Sequence, residues 1–501
     1  MERRLRQVGW IYRYEAKGIQ AFITQTDKLK EIKGGSRLVE RLSKLRELAF
    51  NALSLNDQQV IAEAAGSATI RFDTWEKMDD FKSLWPLLVD RFASGLEVIQ
   101  AAVEESSSPG EATKALQAEL RVARNRQSRV LPEAGPVVFR APRTGLPALP
   151  FDPKVRELQD RALQKRHKAA GDENTRDILG QKLDEDLKYA LDLSTDVPGT
   201  YLAVVHADGN DLGARIQNLD IEELRELSQA LSDATLEAAK AALSSVKEEL
   251  TKSLSRKGRV AFRPIVLGGD DLTVIIRADL ALPFTKEYLK AFEEETNKRK
   301  QELSGPATAC AGIAFVHNGY PFHKAHHLAE QLCSYSKDVL RKKGPSVRGC
   351  PLTASGMTWH RVSTSLCGDF KSEIVRKELD SKEDPPKRSL LNGPYTIESI
   401  NGYPKPKVDD LDELSSIMAK LPSGPLRSVI GLMRDDPNRA KDKLKRLERV
   451  CKDEKAYLAF EESLQNLGCD TCGWRNGGDK ERSPMLDAWI VHNIKSEFQS
   501  L

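Results

Sequence analysis

Residues 267–276 (LGGDDLTVII) constrain the fold of this chain more than any other segment. Two glycines and the carboxylates of Asp270 and Asp271 lie between largely apolar runs at 260–267 and 272–276. Apolar runs joined by a glycine turn predict a tight β-hairpin, in which glycine permits positive φ and close approach of a ligand. Adjacent carboxylates repel each other unless a cation neutralises them. Since Mg²⁺ and Mn²⁺ prefer oxygen ligands, the hairpin tip is a candidate site for these ions.

Residues 201–213 (YLAVVHADGNDLG) supply a second acidic position. The apolar run predicts a buried strand that ends at Asp208 and is followed by the start of a helix. Nucleotidyl-transfer palms pair a strand-end carboxylate with a hairpin-tip carboxylate to hold two metal ions, which activate the attacking hydroxyl and steady the leaving pyrophosphate. The alternative is that Asp208 and Asn210 only cap a helix and that residues 268–271 form an ordinary turn. The occurrence of both segments in this order favours the metal site.

The two motifs ADGNDLG and LGGDDLT resemble the cyclase palm of the large polymerase-cyclase subunit of type III CRISPR effector complexes, a distant relative of GGDEF diguanylate cyclases. The resemblance extends over about residues 8–360. Further matches are Ala309–Phe315, the helix that carries Ala329, Glu330 and Lys337, and, in what resembles the first palm of that family, Gly18–Ile23 and Lys33–Leu38.

The resemblance implies catalytic and metal-binding roles for Asp208, Asp270 and Asp271, with two Mg²⁺ or Mn²⁺ ions as cofactors. It implies a nucleotide-binding role for the residues around them and across the two palms. These are Gly209, Asn210, Gly268, Gly269, Lys337, Gly35 and Ser36.

Some of these assignments have plainer alternatives. Asn210 and Asp211 are expected to cap the helix whose N terminus faces the triphosphate. Lys337 is expected to bind phosphate, but it could be an exposed helix lysine. Residues 34–36 (GGS) could be a simple helix break.

The order of predicted elements occurs twice along the chain. The second unit has a strand at 201–206, helix near 212–250, a hairpin at 259–277, a helix at 284–303, a strand at 307–316, a helix at 321–343 and a strand near 354–359. The first unit has a strand at 8–15, helices over 18–53, a hairpin at 60–72, a helix at 74–92, a strand at 96–103 and a helix at 111–128. Strand–helix–hairpin–helix–strand is the ferredoxin-like order. The predicted fold class is therefore α+β, with two ferredoxin-like palm domains.

The first palm is predicted to be degenerate. Residues 65–68 (AGSA) stand where the second palm has GGDD, and Ala16 or Glu15 stands where it has Asp208. This palm would keep its shape without the metal ligands, and nucleotides would bind between the two halves. The alternative is a pair of unrelated α+β domains.

Four regions are expected: a degenerate first palm (1–145), a linker with a helix (146–200), a catalytic GGDD palm (201–365) and an α-helical C-terminal domain (366–501). The linker helix is predicted at 155–168. The C-terminal helices are predicted at 409–421, 425–433, 437–450, 453–467 and 484–498. Packing against a palm or a partner is the expected role of this last domain.

Composition excludes several classes of protein. The net charge is only +3, so bulk attraction to nucleic acid is not implied. No apolar run approaches the roughly 20 residues of a membrane span, and no secretory segment follows the N terminus. We therefore expect a cytoplasmic protein without a membrane partner. The chain has no His-Asp dipeptide, so the nuclease domain of larger family members is not expected.

Cysteines and histidines give no second metal site. The odd count of seven cysteines argues against a disulfide framework. Structural zinc is not expected at Cys469 and Cys472, because a second close pair is missing. His323 and His327 have the i, i+4 spacing of a metal face, but with His326 they are expected at the surface or an interface.

Two functions follow from the resemblance. The first is an ATP-using nucleotidyltransferase that makes a cyclic oligonucleotide, expected to be cyclic oligoadenylate, in antiviral defence. The second is a structural palm subunit of an RNA-guided complex, with effector subunits, crRNA and target RNA as partners. Retention of Asp208 and Asp270 favours the enzyme, whereas the activating signal and the ring size stay open.

Overall fold

A computed structural model of the chain describes residues 9–26, 28–55, 60–64, 66–105, 109–126, 135–151, 153, 157–171, 178–197, 199–212, 215, 219, 221–341, 346–347, 350–351, 353–364, 368–381, 387–397, 406–478 and 480–499. Among the helices of this part of the chain, none combines the length and the apolar composition needed to cross a membrane.

The first palm is a four-stranded antiparallel sheet with helices on both faces. Its elements are β1 (Trp10–Lys17), α1 (Ile19–Thr24), α2 (Leu29–Glu40), α3 (Leu42–Ala52), β2 (Val60–Ala64), β3 (Ser67–Phe72), α4 (Trp75–Phe92), β4 (Glu97–Glu104) and α5 (Pro109–Asn125). The strand order β2-β3-β1-β4 is the ferredoxin-like arrangement.

Alternate residues of β1 face different helices, as the two-residue period of a strand requires. Tyr12 packs edge-on against Phe81 of α4. Ile11, on the opposite face, packs with Leu116 and Leu120 of α5. Both faces of β1 are therefore covered, which explains why its sequence carries large apolar side chains at successive positions.

Three helices connect the palms: α6 (Arg161–Gly171), α7 (Ile178–Leu183) and α8 (Leu193–Asp196). The helix predicted at 155–168 begins later than expected. Asp160 Oδ1 accepts a hydrogen bond from the backbone N–H of Leu163 at 2.9 Å, which is the geometry of an N-cap. Residues 154–156 lie outside the described residues.

The second palm contains the same arrangement in a larger sheet. Its elements are β5 (Tyr201–Gly209), α9 (Ile221–Lys252), β6 (Phe262–Gly268), β7 (Asp271–Arg277), α10 (Ala281–Lys298), β8 (Ala309–His317), α11 (Phe322–Arg341), the short strands β9 (Ser346–Val347) and β10 (Cys350–Pro351), and β11 (Gly356–Arg361). The short strands β12 (Arg388–Ser389) and β13 (Tyr395–Thr396) follow. The sheet order is β13-β11-β8-β5-β7-β6. Four strands in ferredoxin-like order are therefore extended by the predicted strand β11 and by β13. The sequence did not predict β13.

Strand β5 is buried on both faces because helices cover the sheet from both sides. Val204 and Val205 are both fully buried. α9 and α10 pack together and contact β6, β7 and β8, whereas α11 packs on β5, β8 and β11. A strand covered in this way needs a continuous apolar run, which residues 201–205 supply.

The C-terminal region is mostly helical. It contains a π-type helical segment (Phe370–Leu379), α12 (Val408–Met418), α13 (Ser423–Met433), α14 (Pro437–Val450), α15 (Glu454–Asn466), the short strands β14 (Arg475–Asn476) and β15 (Glu481–Arg482), and α16 (Met485–Gln499). β12, β15 and β14 form a small sheet that the sequence did not predict. The predicted fold class, two ferredoxin-like palms and a helical C-terminal part, is confirmed, whereas the domain boundaries stay a prediction.

This region packs against the second palm. Asp487 of α16 accepts hydrogen bonds from Tyr395 Oη at 2.7 Å and from the Asn392 backbone N–H at 3.2 Å. The backbone N–H of Thr200 donates to Glu497 Oε1 at 2.6 Å. α16 is therefore joined to the edge strand β13 and to the residue that precedes β5.

Candidate active site

Three carboxylates meet at one edge of the second sheet. Asp208 lies one residue before the end of β5, Asp270 is in the hairpin turn and Asp271 begins β7. Since β5 and β7 are neighbouring antiparallel strands, the end of one lies beside the start of the other. One carboxylate oxygen from each residue lies within 4.8 Å of the other two. The fold thus brings together the three predicted metal ligands.

The carboxylate cluster is electrostatically unfavourable without a cation. Burial raises the pKa of Asp270 and Asp271 well above their ordinary values, and the charge of Asp208 raises both further. Three converging carboxylate oxygens are the donor set that hard divalent ions prefer. Among the described residues, this is the one group of three His, Cys, Asp or Glu side chains placed to hold a metal ion. The residues present therefore fit the predicted metal site.

Lys337 is part of the same cluster. It lies on α11, and its Nζ donates to the Asp208 carboxylate and, at 2.7 Å, to the backbone oxygen of Gly209. Burial alone would lower the pKa of Lys337, but the charge and the hydrogen bond of Asp208, together with the nearby Cys333 and Cys310, outweigh it, so the net pKa is raised. With a side chain only 25% exposed, Lys337 is not an ordinary surface lysine; its role in binding phosphate stays a prediction.

Two glycines allow the acidic residues to approach each other. A Cβ at Gly209 would lie 2.4 Å from Leu212 Cδ1 and 3.0 Å from Asp270 Cβ, so a larger residue would push the turn away from β5. Gly269 has a φ of +62°, which glycine adopts without strain. Gly268 pairs with Asp271 in the hairpin ladder and closes the turn.

Asn210 and Asp211 make contacts other than the predicted helix cap. The Asn210 backbone N–H donates to the Thr308 backbone oxygen at 2.8 Å, and its Nδ2 donates to Thr308 Oγ1 at 3.0 Å. Asp211, at φ +57°, accepts hydrogen bonds from Arg341 and, at 2.7 Å, from Thr353 Oγ1. Both side chains therefore fix the end of β5 to its neighbours. Residues 213–214 and 216–218, where the capped turn was predicted, lie outside the described residues.

Ser36 and Gly35 lie within α2, so the alternative of a helix break at 34–36 is wrong. Ser36 Oγ donates to the backbone oxygen of Ile265 on β6 at 2.9 Å, which joins the two palms directly. A Cβ at Gly35 would lie 3.3 Å from Ile23 Cα, and one at Gly34 would lie 2.1 Å from the backbone oxygen of Arg166. These glycines let α2 pack closely against α1 and α6.

Both palms line a cavity of about 460 Å³ beside the acidic turn. The first palm contributes Gln20, Ser36 and Gly66, and the second contributes Gly269 and Asp271 among other residues. Ligand pockets commonly measure about 300–1,000 Å³ and often lie between domains. The cavity is therefore large enough for a nucleotide next to the carboxylates.

The strand registers show which residues of the second palm correspond to those of the first. In the second palm, Gly268 pairs with Asp271 in the hairpin, and the β5–β7 register brings Asp208 opposite Asp271. In both hairpins, two residues separate the last pair of the ladder. The two palms can therefore be aligned residue by residue from that pair.

In the first palm, Ala64 and Glu15 both pair with Ser67. Glu15, not Ala16, is thus the counterpart of Asp208, and residues 64–67 replace the predicted 65–68 as the counterpart of GGDD. The predicted alignment was one residue out because side-chain identity alone does not set a ladder register. Residue 65 itself lies outside the described residues.

Two arginines contact Glu15 in the first palm, whereas two carboxylates lie beside Asp208 in the second palm. Arg13 Nε donates to Glu15 Oε1 at 2.9 Å, and Arg124 of α5 donates to Glu15 Oε2. Together with Asp270 these residues line a second cavity of about 420 Å³. α5 and α11 follow the fourth ferredoxin-like strand of their palms, so the Arg124–Glu15 pair corresponds to the Lys337–Asp208 pair.

A buried histidine pair lies beneath the acidic cluster. His206 Nδ1 lies 3.1 Å from Thr273 Oγ1, which lies 3.4 Å from His326 Nε2. Burial lowers the pKa of His206 to about 4 and that of His326 to about 3. The predicted surface position of His326 is therefore wrong, because this face of α11 packs on the sheet; His323 and His327 are exposed.

Comparison with known families agrees with this geometry. Residues 201–344 match the sequence model of the Cas10/Cmr2 second palm domain. This segment is thus similar to the Cas10/Cmr2 second palm domain. The resemblance inferred from the two acidic motifs is thereby confirmed, and the matched segment contains Asp208, Asp270, Asp271 and Lys337.

A solved structure with a TM-score above 0.5 shares the fold over most of the chain. The Csm1-Csm4 cassette in complex with pppApApA matches with a TM-score of 0.54 and 14% identity, over 98% of this chain and 69% of that chain. The cassette in complex with AMPPNP matches with a TM-score of 0.46 and 15% identity, over 70% of this chain and 56% of that chain. The cassette in complex with cA4 matches with a TM-score of 0.46 and 15% identity, over 67% of this chain and 54% of that chain. This chain therefore spans little more than half the length of the latter two. A comparison with curated proteins gave no match.

Sequence reasoning missed two sets of residues, one in each palm. Arg13 and Arg124 escaped notice, although aligning the two repeats would have placed Arg124 in the helix equivalent to the one carrying Lys337. Ser232 and Thr235 of α9 also contact the acidic turn. Nothing in the sequence distinguishes them from other helical hydroxyl residues.

Proposed function

We propose that this chain is a metal-dependent nucleotidyltransferase that converts ATP into a cyclic oligoadenylate signal in antiviral defence. The observation that carries the proposal is the cluster of Asp208, Asp270 and Asp271 at the edge of a cavity that both palms line. Divalent ions held by these carboxylates would activate a ribose hydroxyl and neutralise the leaving pyrophosphate.

The chain's own residues would position the nucleotide. Lys337 already holds the Asp208 carboxylate and the Gly209 carbonyl, and it would transfer a charge-assisted hydrogen bond to a phosphate oxygen when the triphosphate binds. The absence of side chains at Gly209 and Gly269 leaves room for phosphates beside the turn. Ser36 lines the same cavity as the turn and would contact the nucleotide from the first palm.

The proposed bond formation joins two nucleotides held between the palms. A ribose hydroxyl oxygen of one attacks the α-phosphorus of the other, the bond to the pyrophosphate oxygen breaks, and the hydroxyl proton leaves with solvent. Repetition and a final attack on the first 5′-triphosphate would close a ring. The structural relative with a TM-score of 0.54 was solved in complex with pppApApA, which makes adenine the base to test first.

The test is incubation of the purified protein with ATP or GTP and Mg²⁺ or Mn²⁺, with and without candidate RNA activators. Products would be identified by mass spectrometry and pyrophosphate release would be measured. We expect cyclic oligoadenylate from the wild-type protein and none from an Asp270→Ala, Asp271→Ala double variant. If no nucleoside triphosphate binds under any of these conditions, the enzyme proposal fails.

The second candidate function is a structural palm subunit of an RNA-guided complex. The observation that favours it is the ion pair between Lys337 and Asp208, which partly neutralises the site without metal. The solved relatives are Csm1-Csm4 assemblies, so an equivalent partner subunit, crRNA and target RNA are the partners to test. Stable assembly with such partners by a chain that binds no nucleotide would support this function.

A further inference from the structure

The acidic turn is held by two hydroxyl side chains of α9. Thr235 Oγ1 donates to the backbone oxygen of Gly269 at 2.7 Å, and the backbone N–H of Gly269 donates to Ser232 Oγ at 3.3 Å. Ser232 Oγ in turn donates to the Ser228 backbone oxygen at 2.9 Å. Both polar groups of the Gly269 residue are thus bonded to a helix that lies on the opposite face of the sheet from α11.

The contact of Thr235 differs from that of Thr285, another fully buried helical threonine. Thr285, in α10, donates to the backbone oxygen of Ala281, four residues earlier, at 2.7 Å. That local bond is the usual way in which a helix satisfies a threonine hydroxyl. Thr235 is equally buried, but its hydroxyl is directed to the hairpin instead.

We propose that Thr235, with Ser232, is a positioning residue that fixes the acidic turn for binding of divalent metal. The inference rests on the proposed metal-dependent function and assigns the residues that set the geometry of its ligands. Neither hydroxyl is expected to touch the ion or the nucleotide. Their effect passes through the Gly269 backbone to the adjacent Asp270 and Asp271.

The physical reason is the conformational freedom of the backbone in a two-residue turn that contains glycine. Gly269 has a positive φ, and a Cβ added there would meet no atom within 4 Å, so no side-chain packing holds the turn at this residue. Like charges on Asp270, Asp271 and Asp208 favour spreading of the turn in the metal-free protein. Hydrogen bonds to both the N–H and the C=O of Gly269 oppose that rotation and keep the three carboxylates convergent.

The test is Mn²⁺ binding to the full-length protein without nucleotide, measured by calorimetry and by the electron paramagnetic resonance of free Mn²⁺. Thr235→Val removes the hydroxyl while keeping the branched shape, and we expect it to weaken Mn²⁺ binding by about tenfold or more, the usual effect of losing a residue that orients metal ligands. Thr235→Ser keeps the donor and should restore most of the affinity. Ser232→Ala, at a half-buried position, should weaken binding less, because its bond is longer.

The matched control is Thr285→Val, which removes an equally buried threonine hydroxyl away from the turn. It should lower the melting temperature about as much as Thr235→Val while leaving Mn²⁺ affinity unchanged. Equal Mn²⁺ affinity in wild-type protein and Thr235→Val would overturn the positioning role, and so would equal loss in the Thr285→Val control. If the wild-type protein binds no Mn²⁺, the proposed function itself fails, which is a distinct result. Should Thr235→Val not fold, the Mn²⁺ affinities of Thr235→Ser and Ser232→Ala are compared instead. Weaker binding by Ser232→Ala than by Thr235→Ser would support the positioning role, and equal binding by both would overturn it.

Discussion

Glu15 and Asp208 occupy the same ladder position in the two palms but have different electrostatic surroundings. Glu15 lies opposite Ser67 and is bonded by two arginines, whereas Asp208 lies within 4.8 Å of two further carboxylates. In the first palm, the arginine side chains of the protein therefore neutralise the carboxylate at this position. In the second palm, Lys337 pairs with Asp208, and a bound divalent cation would balance the charge of the other two carboxylates.

This asymmetry predicts one metal centre in each chain. Ser67→Asp should not create a second centre, because Glu15 is already paired and Gly66 takes the place of Asp270. Calorimetric titration should give the same Mn²⁺ stoichiometry for the wild-type protein and the variant. Two independent centres per chain would contradict the degenerate first palm.

Loss of the carboxylates should abolish nucleotide polymerisation without unfolding the protein. The Asp208→Ala variant and the Asp270→Ala, Asp271→Ala double variant should lose at least about a hundredfold in product formation, because metal ligands are removed. Without metal, their melting temperatures should equal or exceed that of the wild-type protein, since the repulsion between carboxylates is relieved. Asp409→Asn, which alters an exposed ion pair with Lys286, is the control and should retain activity. Unchanged product formation in the double variant would rule out this site.

Lys337→Ala should weaken nucleotide use chiefly through binding. We expect the apparent Michaelis constant for ATP to rise about tenfold, which corresponds to about 1.4 kcal/mol. Lys337→Arg should restore only part of this, because a planar guanidinium does not replace a compact ammonium group. Lys324→Ala, on the same helix, is the control and should behave as wild type. A fall in kcat with an unchanged Michaelis constant would instead assign Lys337 to the chemical step.

Asp487 should make the stability of the protein depend on pH. Burial raises its pKa to about 7, whereas an unfolded aspartate has a pKa of about 3.9. Its contribution to stability is therefore fully present below about pH 4 and is lost as pH rises toward about 7. The neutral Asp487→Asn variant should gain stability relative to wild type between pH 5 and pH 8, measured as the difference in free energy of unfolding. A difference that does not change with pH would show that Asp487 does not carry a raised pKa.

Much of the candidate site was predictable from the sequence. The apolar runs around residues 201–208 and 260–276 predicted adjacent strands, and the glycines predicted the turn that brings Asp270 toward Asp208. The position of Lys337 came from the resemblance alone, and its contact with Asp208 required the packing of α11 on β5. The ladder position of Ser67 was misjudged by one residue, and the counterpart of Asp208 stayed open between Ala16 and Glu15, because a hairpin turn with degenerate sequence leaves its register open.

The sequence by itself determined the local elements and the identity of the acids, because strand and helix periodicity and glycine turns are short-range properties. Only the tertiary structure decided which groups neutralise those acids. Arg124 lies 109 residues from Glu15, Lys337 lies 129 residues from Asp208, and Thr235 lies 34 residues from Gly269. Contacts over such separations depend on how whole helices cover the two faces of a sheet, and no local pattern in the chain encodes that.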